Sequence, residues 1–274
     1  MRLLAAALIT ATILGGCGPK TVIPEPMTPE QKAQCEVSNL QVESDNRQLT
    51  VSWVSKCTEL ISGYNIYINP RPFDPEKPFA PHNQTPYPGD TDPDDGRIMY
   101  VAEGLQNSVR YYISVRVVYA DQSLSKATAE IVATCGPRGR IELAIRYSGQ
   151  PDGYSFSQER IVEADELSND VYFFSQDGVD YLDAPTRLDG FLRKSRLVRL
   201  PVRGSFREVA SYLAMNSATP ESDRVEVHSG DWILLRTPES HHVLLQIEGF
   251  SGSGQSRRVR LSYAYSGIAD EIIF

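Results

Sequence analysis

Several groups of residues in this chain have the types and spacing to do chemistry. The densest is acidic, Asp90-Thr91-Asp92-Pro93-Asp94-Asp95-Gly96, and hard cations such as calcium want several carboxylate oxygens. Its glycine stands one place late for a twelve-residue calcium loop, and no glutamate closes the loop, so a solvated turn-forming segment is expected. The four histidines are His82, His228, His241 and His242. Adjacent side chains on a strand point to opposite faces, so His241 and His242 cannot both reach one metal in regular geometry. A water-exposed pair at a strand start is expected instead. Glu163, Asp165 and Glu166 could supply the acid and base of a glycosidase, although such acid runs usually form solvated surface. Ser251, within Gly249-Phe250-Ser251-Gly252-Ser253, misses the spacing of a nucleophile elbow. Asp189-Gly190-Phe191-Leu192-Arg193 presents Phe191 on a turn, as a core aromatic or part of a binding rim. A glycine-rich phosphate loop and a zinc-spaced Cys/His set are both missing, so no cofactor, no metal site and no catalytic residues are expected.

The composition narrows the partners. The formal net charge is −8 with a pI near 5.1, whereas a nucleic-acid-binding surface is basic. Hydrophobic residues make up 41% of the 274, which suffices for two modest domains. Tyrosines number 14 against 2 tryptophans, a balance that suits half-buried sheet surfaces.

The elements that must position these residues read as strands. In Leu105–Val118, Tyr111, Ile113, Val115 and Val117 fall on one face of an extended chain. Leu105, a polar turn and then Tyr111 opening the strand form the pattern of a tyrosine corner, found in Greek-key sandwiches. Leu49-Thr50-Val51-Ser52-Trp53 and Gly63-Tyr64-Asn65-Ile66-Tyr67 add two more strands. Together these resemble a fibronectin type III domain over residues 36–135, a scaffold that carries no chemistry by itself. The chain departs from that family between Asn69 and Arg97, where a long loop rich in proline and acid replaces a short connection. Loops of this length are usually functional or disordered, but Phe73, Phe79 and Tyr87 are expected to pack this one back on the sheet.

Gly136-Pro137-Arg138-Gly139 marks a boundary, and a C-terminal β domain is expected over residues 138–274. Its predicted strands are Ile141–Tyr147, Tyr154–Val162, Asp170–Ser175, Val179–Leu182, Arg196–Val202, Trp232–Thr237, His242–Glu248 and Arg258–Tyr265. One helix is predicted, capped by Ser205 with Glu208 completing a capping box and Val209, Tyr212 and Leu213 at helical spacing. The expected fold is all-β, a fibronectin-like sandwich followed by a second β-sandwich or small barrel with one short helix. Residues 138–274 are too few for a (β/α)8 barrel, which needs about 250.

The N-terminus carries an address. Arg2 precedes the apolar run Leu3–Leu14, which is too short for a stable membrane span. The run ends in Leu14-Gly15-Gly16-Cys17, which resembles a bacterial lipobox; the alternative is a plain secretory signal. The resemblance implies a signal peptide over 1–16 and a Cys17 bearing diacylglycerol and palmitate. It also implies a membrane partner through that lipid anchor. Gly18, in place of an aspartate, implies the outer membrane. Residues 17–34 are expected to form a proline-rich coil tether reaching on the order of 20–25 Å.

With Cys17 lipidated, Cys35, Cys57 and Cys135 remain, an odd number for an oxidising compartment. The strand order of the resembled sandwich places Cys35 and Cys57 at one pole and Cys135 at the other. It therefore implies a Cys35–Cys57 disulfide, contributing about 3 kcal/mol, and an unpaired Cys135. A Cys35–Cys135 bridge, made possible by a shifted first strand, is the rival.

The expected function is that of a non-enzymatic, membrane-anchored envelope lipoprotein acting as a binding, adaptor or assembly module with an envelope protein partner and no nucleic acid. The alternative is a carrier of a small ligand, haem or a hydrophobic molecule, or of carbohydrate, through the C-terminal domain. The hairpin Leu234–Ile247 resembles one in HmuY-like haem-binding lipoproteins over roughly thirty residues. That resemblance makes His241 and His242 the candidate ligand-binding residues.

Overall fold

In a computed structural model, residues 26–56, 60–89, 96–190 and 193–274 are described. Cys17, Cys57, Phe191, Leu192 and the acids from Asp90 to Asp95 lie outside them. The fold is all-β, with several antiparallel sheets and, among the described residues, no closed barrel.

The first sandwich packs a sheet of order β1-β2-β4 on one of order β3-β5-β6. Its strands are β1 (Ser38–Asp45), β2 (Gln48–Val54), β3 (Ile61–Asn69), β4 (Ile98–Glu103), β5 (Arg110–Tyr119) and β6 (Ile131–Thr134). Alternation does the work. Leu49, Val51 and Trp53 of β2 face Ile113, Val115 and Val117 of β5 in one core, where Trp53 meets Tyr64 edge-on at 5.1 Å. The tyrosine corner is formed: the Tyr111 hydroxyl accepts the Gln106 N–H at 2.9 Å, and Leu105 is buried beside it.

Residues 82–87 of the long connection after β3 pack back on the sheet. Tyr87 and Tyr64 exchange both main-chain hydrogen bonds at 2.8 Å, and the Asn83 side chain bridges the Ile66 N–H and the Tyr64 carbonyl. Gly63, at φ +139°, permits that approach, since a Cβ there would lie 2.6 Å from the Tyr87 carbonyl oxygen. Residues 29–34, expected as coil, instead form helix α1 (Pro29–Gln34). Thr28 and Gln31 make a reciprocal capping box, with proline at the start. A helix this short is not stable alone. Tertiary contacts hold it: Lys32 reaches Asp121 at 3.0 Å and Ser123 at 2.7 Å, and Met27 packs against the core.

The second sandwich contains β7 (Arg138–Ala144), β8 (Gly153–Ser155), β9 (Arg160–Val162), β10 (Val171–Gln176), β11 (Val179–Asp183) and β12 (Arg196–Arg199). Helix α2 (Phe206–Met215) follows, then β13 (Arg224–Glu226), β14 (Trp232–Arg236), β15 (His242–Ser251) and β16 (Arg258–Ser266). Two five-stranded sheets, β13-β11-β10-β8-β9 and β12-β14-β15-β16-β7, enclose the core. In β14, Ile233 and Leu235 point into that core, while Trp232 and Leu234 point outward to Val209 and Leu213 of α2. The capping box of Ser205 and Glu208 starts α2. The run Tyr154–Val162, expected as one strand, folds into the β8–β9 hairpin. Three aspartates at strand ends are buried and each is matched by an arginine: Asp152 by Arg146 at 3.0 Å, Asp170 by Arg193 at 2.6 Å and Asp183 by Arg224 at 2.5 Å.

A candidate binding groove between the sandwiches

Most of the residues singled out by the sequence are held in structural roles. Arg160 pairs with Glu166 at 2.6 Å, and Arg146 reaches Asp165 at 3.5 Å. Glu163 lends its N–H to the Glu166 carboxylate, so these acids close a turn instead of flanking a substrate. Gly249 sits at a register shift in the β15–β16 ladder, and Phe250 packs beneath Arg257. Among the described residues no three His, Cys, Asp or Glu side chains converge as a metal site.

The histidine pair departs from expectation. His242 is buried, not exposed at a strand start, because residues 267–274 fold back over it. Its Nδ1 lies 3.2 Å from the Glu271 carbonyl oxygen, and burial lowers its pKa. The Nδ1 of His241 lies 3.2 Å from the Ser266 carbonyl oxygen, with its ring tilted on Tyr265. The two rings are thus satisfied separately.

Cys35 is disulfide-bonded, whereas Cys135 is a free, buried thiol. The Cys35–Cys135 pairing is therefore not formed. Cys135 lies beside Gln48, where β2 begins, with its Sγ 3.4 Å from the Gln48 carbonyl oxygen, and burial pushes the thiol up to about 11. Cys57, the expected partner of Cys35, is outside the described residues.

A feature absent from the sequence reading lies where the two sandwiches meet. Residues 267–274 hold them together: Glu271 pairs with Arg110, the Thr134 hydroxyl donates to the Ile273 carbonyl at 3.4 Å, and Gly267 lies tight against Ser108. The Tyr265 N–H donates to the Pro137 carbonyl at 2.9 Å. Beside this contact runs a cavity of about 430 Å3, within the usual size of a ligand site. Residues 40–44 of β1 form one wall, and Phe206, Arg207 and Ala210 of α2 form the other. Phe274 and Ile131 contribute apolar surface. A second cavity of about 300 Å3 adjoins it over the outer face of β14, β15 and β16.

Arg138 and Phe206 line both cavities. The guanidinium carbon stands 4.1 Å from the centroid of the Phe206 ring, a cation–π stack. No carboxylate of the described residues lies within ion-pair distance of Arg138, and its guanidinium makes no hydrogen bond there. Burial lowers its pKa to about 10, with Asp45 and Glu43 opposing from a distance. Arg138 remains a cation at neutral pH. A half-buried cation without a counter-ion costs stability, and here it faces open space. The sequence presents Arg138 only as part of a Gly/Pro boundary, and no local pattern marks it.

No family profile matches any part of the chain, and no curated protein matches it. Among solved structures, one similar chain is the family 28 exopolygalacturonase of Yersinia enterocolitica, at 20% identity and a TM-score of 0.26 over 42% of this chain and 24% of that one. Another is the twitchin kinase region of C. elegans (Fn31-NL-kin-CRD-Ig26), at 11% identity and a TM-score of 0.25 over 84% of this chain and 39% of that one. The chain thus spans well under half of each.

Proposed function

We propose that this chain is an outer-membrane-anchored envelope lipoprotein that acts by binding, as an adaptor or assembly module with an envelope protein partner, and carries out no chemistry of its own. The observation that carries this proposal is the groove: residues from two separate β scaffolds converge on a cavity around an arginine that has no counter-ion among the described residues. Its chemistry is that of recognition. An uncompensated cation on an aromatic face favours an incoming anion, and the one carboxylate lining the cavity, Glu43, is engaged by Arg207 at 3.5 Å. The lipobox-like segment ending at Cys17 supplies the anchor in this proposal.

Carriage of haem or a hydrophobic molecule inside the second sandwich has less in its favour. That interior is filled by Phe156, Phe173, Leu197, Leu245 and their neighbours, and each candidate histidine is turned to a main-chain carbonyl. The proposal is tested in cells. Labelled palmitate should enter the wild-type chain and not Cys17→Ala. A photo-crosslinker at Ser211, on the groove wall, should trap a discrete envelope adduct that the same group at Gln176 does not. Turnover of a glycosidic or ester substrate, abolished by one carboxylate or serine substitution, would overturn it.

A further inference from the structure

The geometry points to one ligand class for the groove: an extended peptide bearing a single carboxylate, which adds to the open edge of β1 and sets that carboxylate on Arg138. The inference rests on the binding role proposed above and narrows it.

Three observations carry it. The first is the edge. Among the described residues β1 forms a ladder only with β2, although β6 of the facing sheet lies alongside it, and the two-residue β1–β2 turn closes at Asp45 opposite Gln48. The closing pair of such a hairpin exchanges both main-chain hydrogen bonds, and the pattern then alternates along the ladder. Glu43 and Gln41 therefore turn their main-chain groups toward β2, while Ser44 and Val42 turn theirs outward. Among the described residues those outward groups bond to nothing else. Both residues line the cavity. An edge of this kind is a template for an added strand, and main-chain hydrogen bonds supply its affinity.

The second is charge. Arg138 is the cation left over at this site, because Arg207 is engaged by Glu43 at 3.5 Å and Arg140 by Glu248 at 2.8 Å. With Glu43 and Asp45 also in the neighbourhood, the local field accepts one negative charge and repels a dianion such as phosphate. A planar guanidinium matches a carboxylate through paired N–H donors. The third is the lining. Phe206, Ile131 and Phe274 offer apolar surface next to the cation, and alternate side chains of a bound strand can use both features. A fatty acid would satisfy the cation and the apolar wall, but it would leave the outward main-chain groups of Ser44 and Val42 unpaired. The Arg207–Glu43 pair that spans the groove is more than half exposed on both sides, and such pairs open readily.

The test uses the intact lipoprotein in detergent and two dye-labelled peptides, N-acetylated and C-amidated, of sequences Thr-Val-Asp-Val-Thr and Thr-Val-Asn-Val-Thr. Fluorescence anisotropy should show the Asp peptide binding at least tenfold tighter than its Asn counterpart. Arg138→Gln should make the two equal. Ser44→Pro, which removes one outward N–H and keeps the cation, should weaken both alike. Sodium hexanoate and inorganic phosphate serve as competitors and should not displace the Asp peptide at equimolar concentration. Equal affinities in the wild type, no saturable binding of either peptide, or Arg138-dependent binding of hexanoate or phosphate in place of the peptide would each overturn the assignment. Palmitate labelling and crosslinking from Ser211 are independent of these peptides. If they persist while peptide binding fails, this inference falls and the adaptor role stands.

Discussion

Replacing Tyr111 by Phe isolates one hydrogen bond on which the first sandwich turns. The ring is buried and Phe fills the same space, so the packing around Ile113 and Val115 is unchanged. What is lost is the hydroxyl that accepts the Gln106 N–H at 2.9 Å across the corner. An orphaned main-chain N–H costs about 1–3 kcal/mol. Because Gln106 itself is exposed, water reaches part of the gap, which places the expected loss near the lower limit, about 1 kcal/mol. For a domain of this size that corresponds to a drop of roughly 4–8 °C in Tm. The chain has 2 tryptophans, so a Trp232→Phe background leaves Trp53, in the first core, as the sole tryptophan reporter for urea titration. Tyr67→Phe is the control, since its hydroxyl has no protein partner among the described residues, and it should change stability by less than about 0.5 kcal/mol. If Tyr111→Phe cannot be told from Tyr67→Phe at an unchanged urea slope, the corner does not stabilise this sandwich and the reasoning fails.

Three further expectations follow from named contacts. Gly63→Ala forces a side chain into a positive-φ position and against the Tyr87 carbonyl. It should cost at least about 2 kcal/mol and expose the 70–89 segment to limited proteolysis before global unfolding. Leu213→Ala opens a cavity between α2 and the outer face of β14, where Leu213 is 6% exposed. The expected loss is about 2–4 kcal/mol, read from Trp232 fluorescence, and Met215→Ala, at 78% exposure, should be silent by the same measure. His242 is held neutral by burial, so its folded pKa lies below that of the unfolded chain, near 6.5. Stability is then fully present above about pH 6.5 and declines as pH falls through the folded pKa, because the unfolded state takes up the proton first. His242→Asn should flatten that acid limb in urea melts at stepped pH, and an unchanged limb would assign the loss to other groups.

Period-two alternation made β2, β5, β14 and β16 readable from the chain, because burial on one face is a local property of a strand. The start of α2 was readable for a similar reason: Ser205 and Glu208 satisfy each other within one turn. Legibility ended where a partner distant in sequence decides the outcome. Nothing near Pro29 announces that Lys32 will find Asp121, 89 positions along the chain, so α1 passed for coil. Nothing near His242 shows that residue 271 will cover it. Three residues of β13 carry too little pattern to register, although pairing with β11 fixes them. Arg138 is the sharpest instance. Whether an arginine meets a carboxylate is decided by the whole fold, and a chain with 35 acidic residues gives no local sign that Arg138 will meet none among the described residues.

The positions of these long-range contacts bear on how the proposed adaptor would work. β5 spans ten residues, about 33 Å at the usual strand rise. Arg110 at its start is tied to Glu271 of the second sandwich, and Tyr119 at its end accepts the Lys32 ammonium over its ring and donates its hydroxyl to the Lys32 carbonyl. α1, the described element nearest to Cys17 in sequence, is therefore docked at the pole opposite the groove. The first sandwich then acts as a rigid spacer, not a freely jointed link, and under the lipid-anchor proposal the residues of α1 add nothing to the reach of Cys17. Under the lipid-anchor proposal, membrane attachment enters at one end of β5 and Arg138 with the open edge of β1 faces away from it at the other. Releasing α1, by Lys32→Ala with Asp121→Ala, should lengthen the tether without altering the groove. Peptide affinity in detergent should stay within about twofold, because the two poles share no partners and distant sites act independently. Crosslinking from Ser211 in the envelope should fall or change partner, because the height at which the groove is presented has changed. Loss of peptide affinity on releasing α1 would show that the two poles are coupled and would refute the spacer argument.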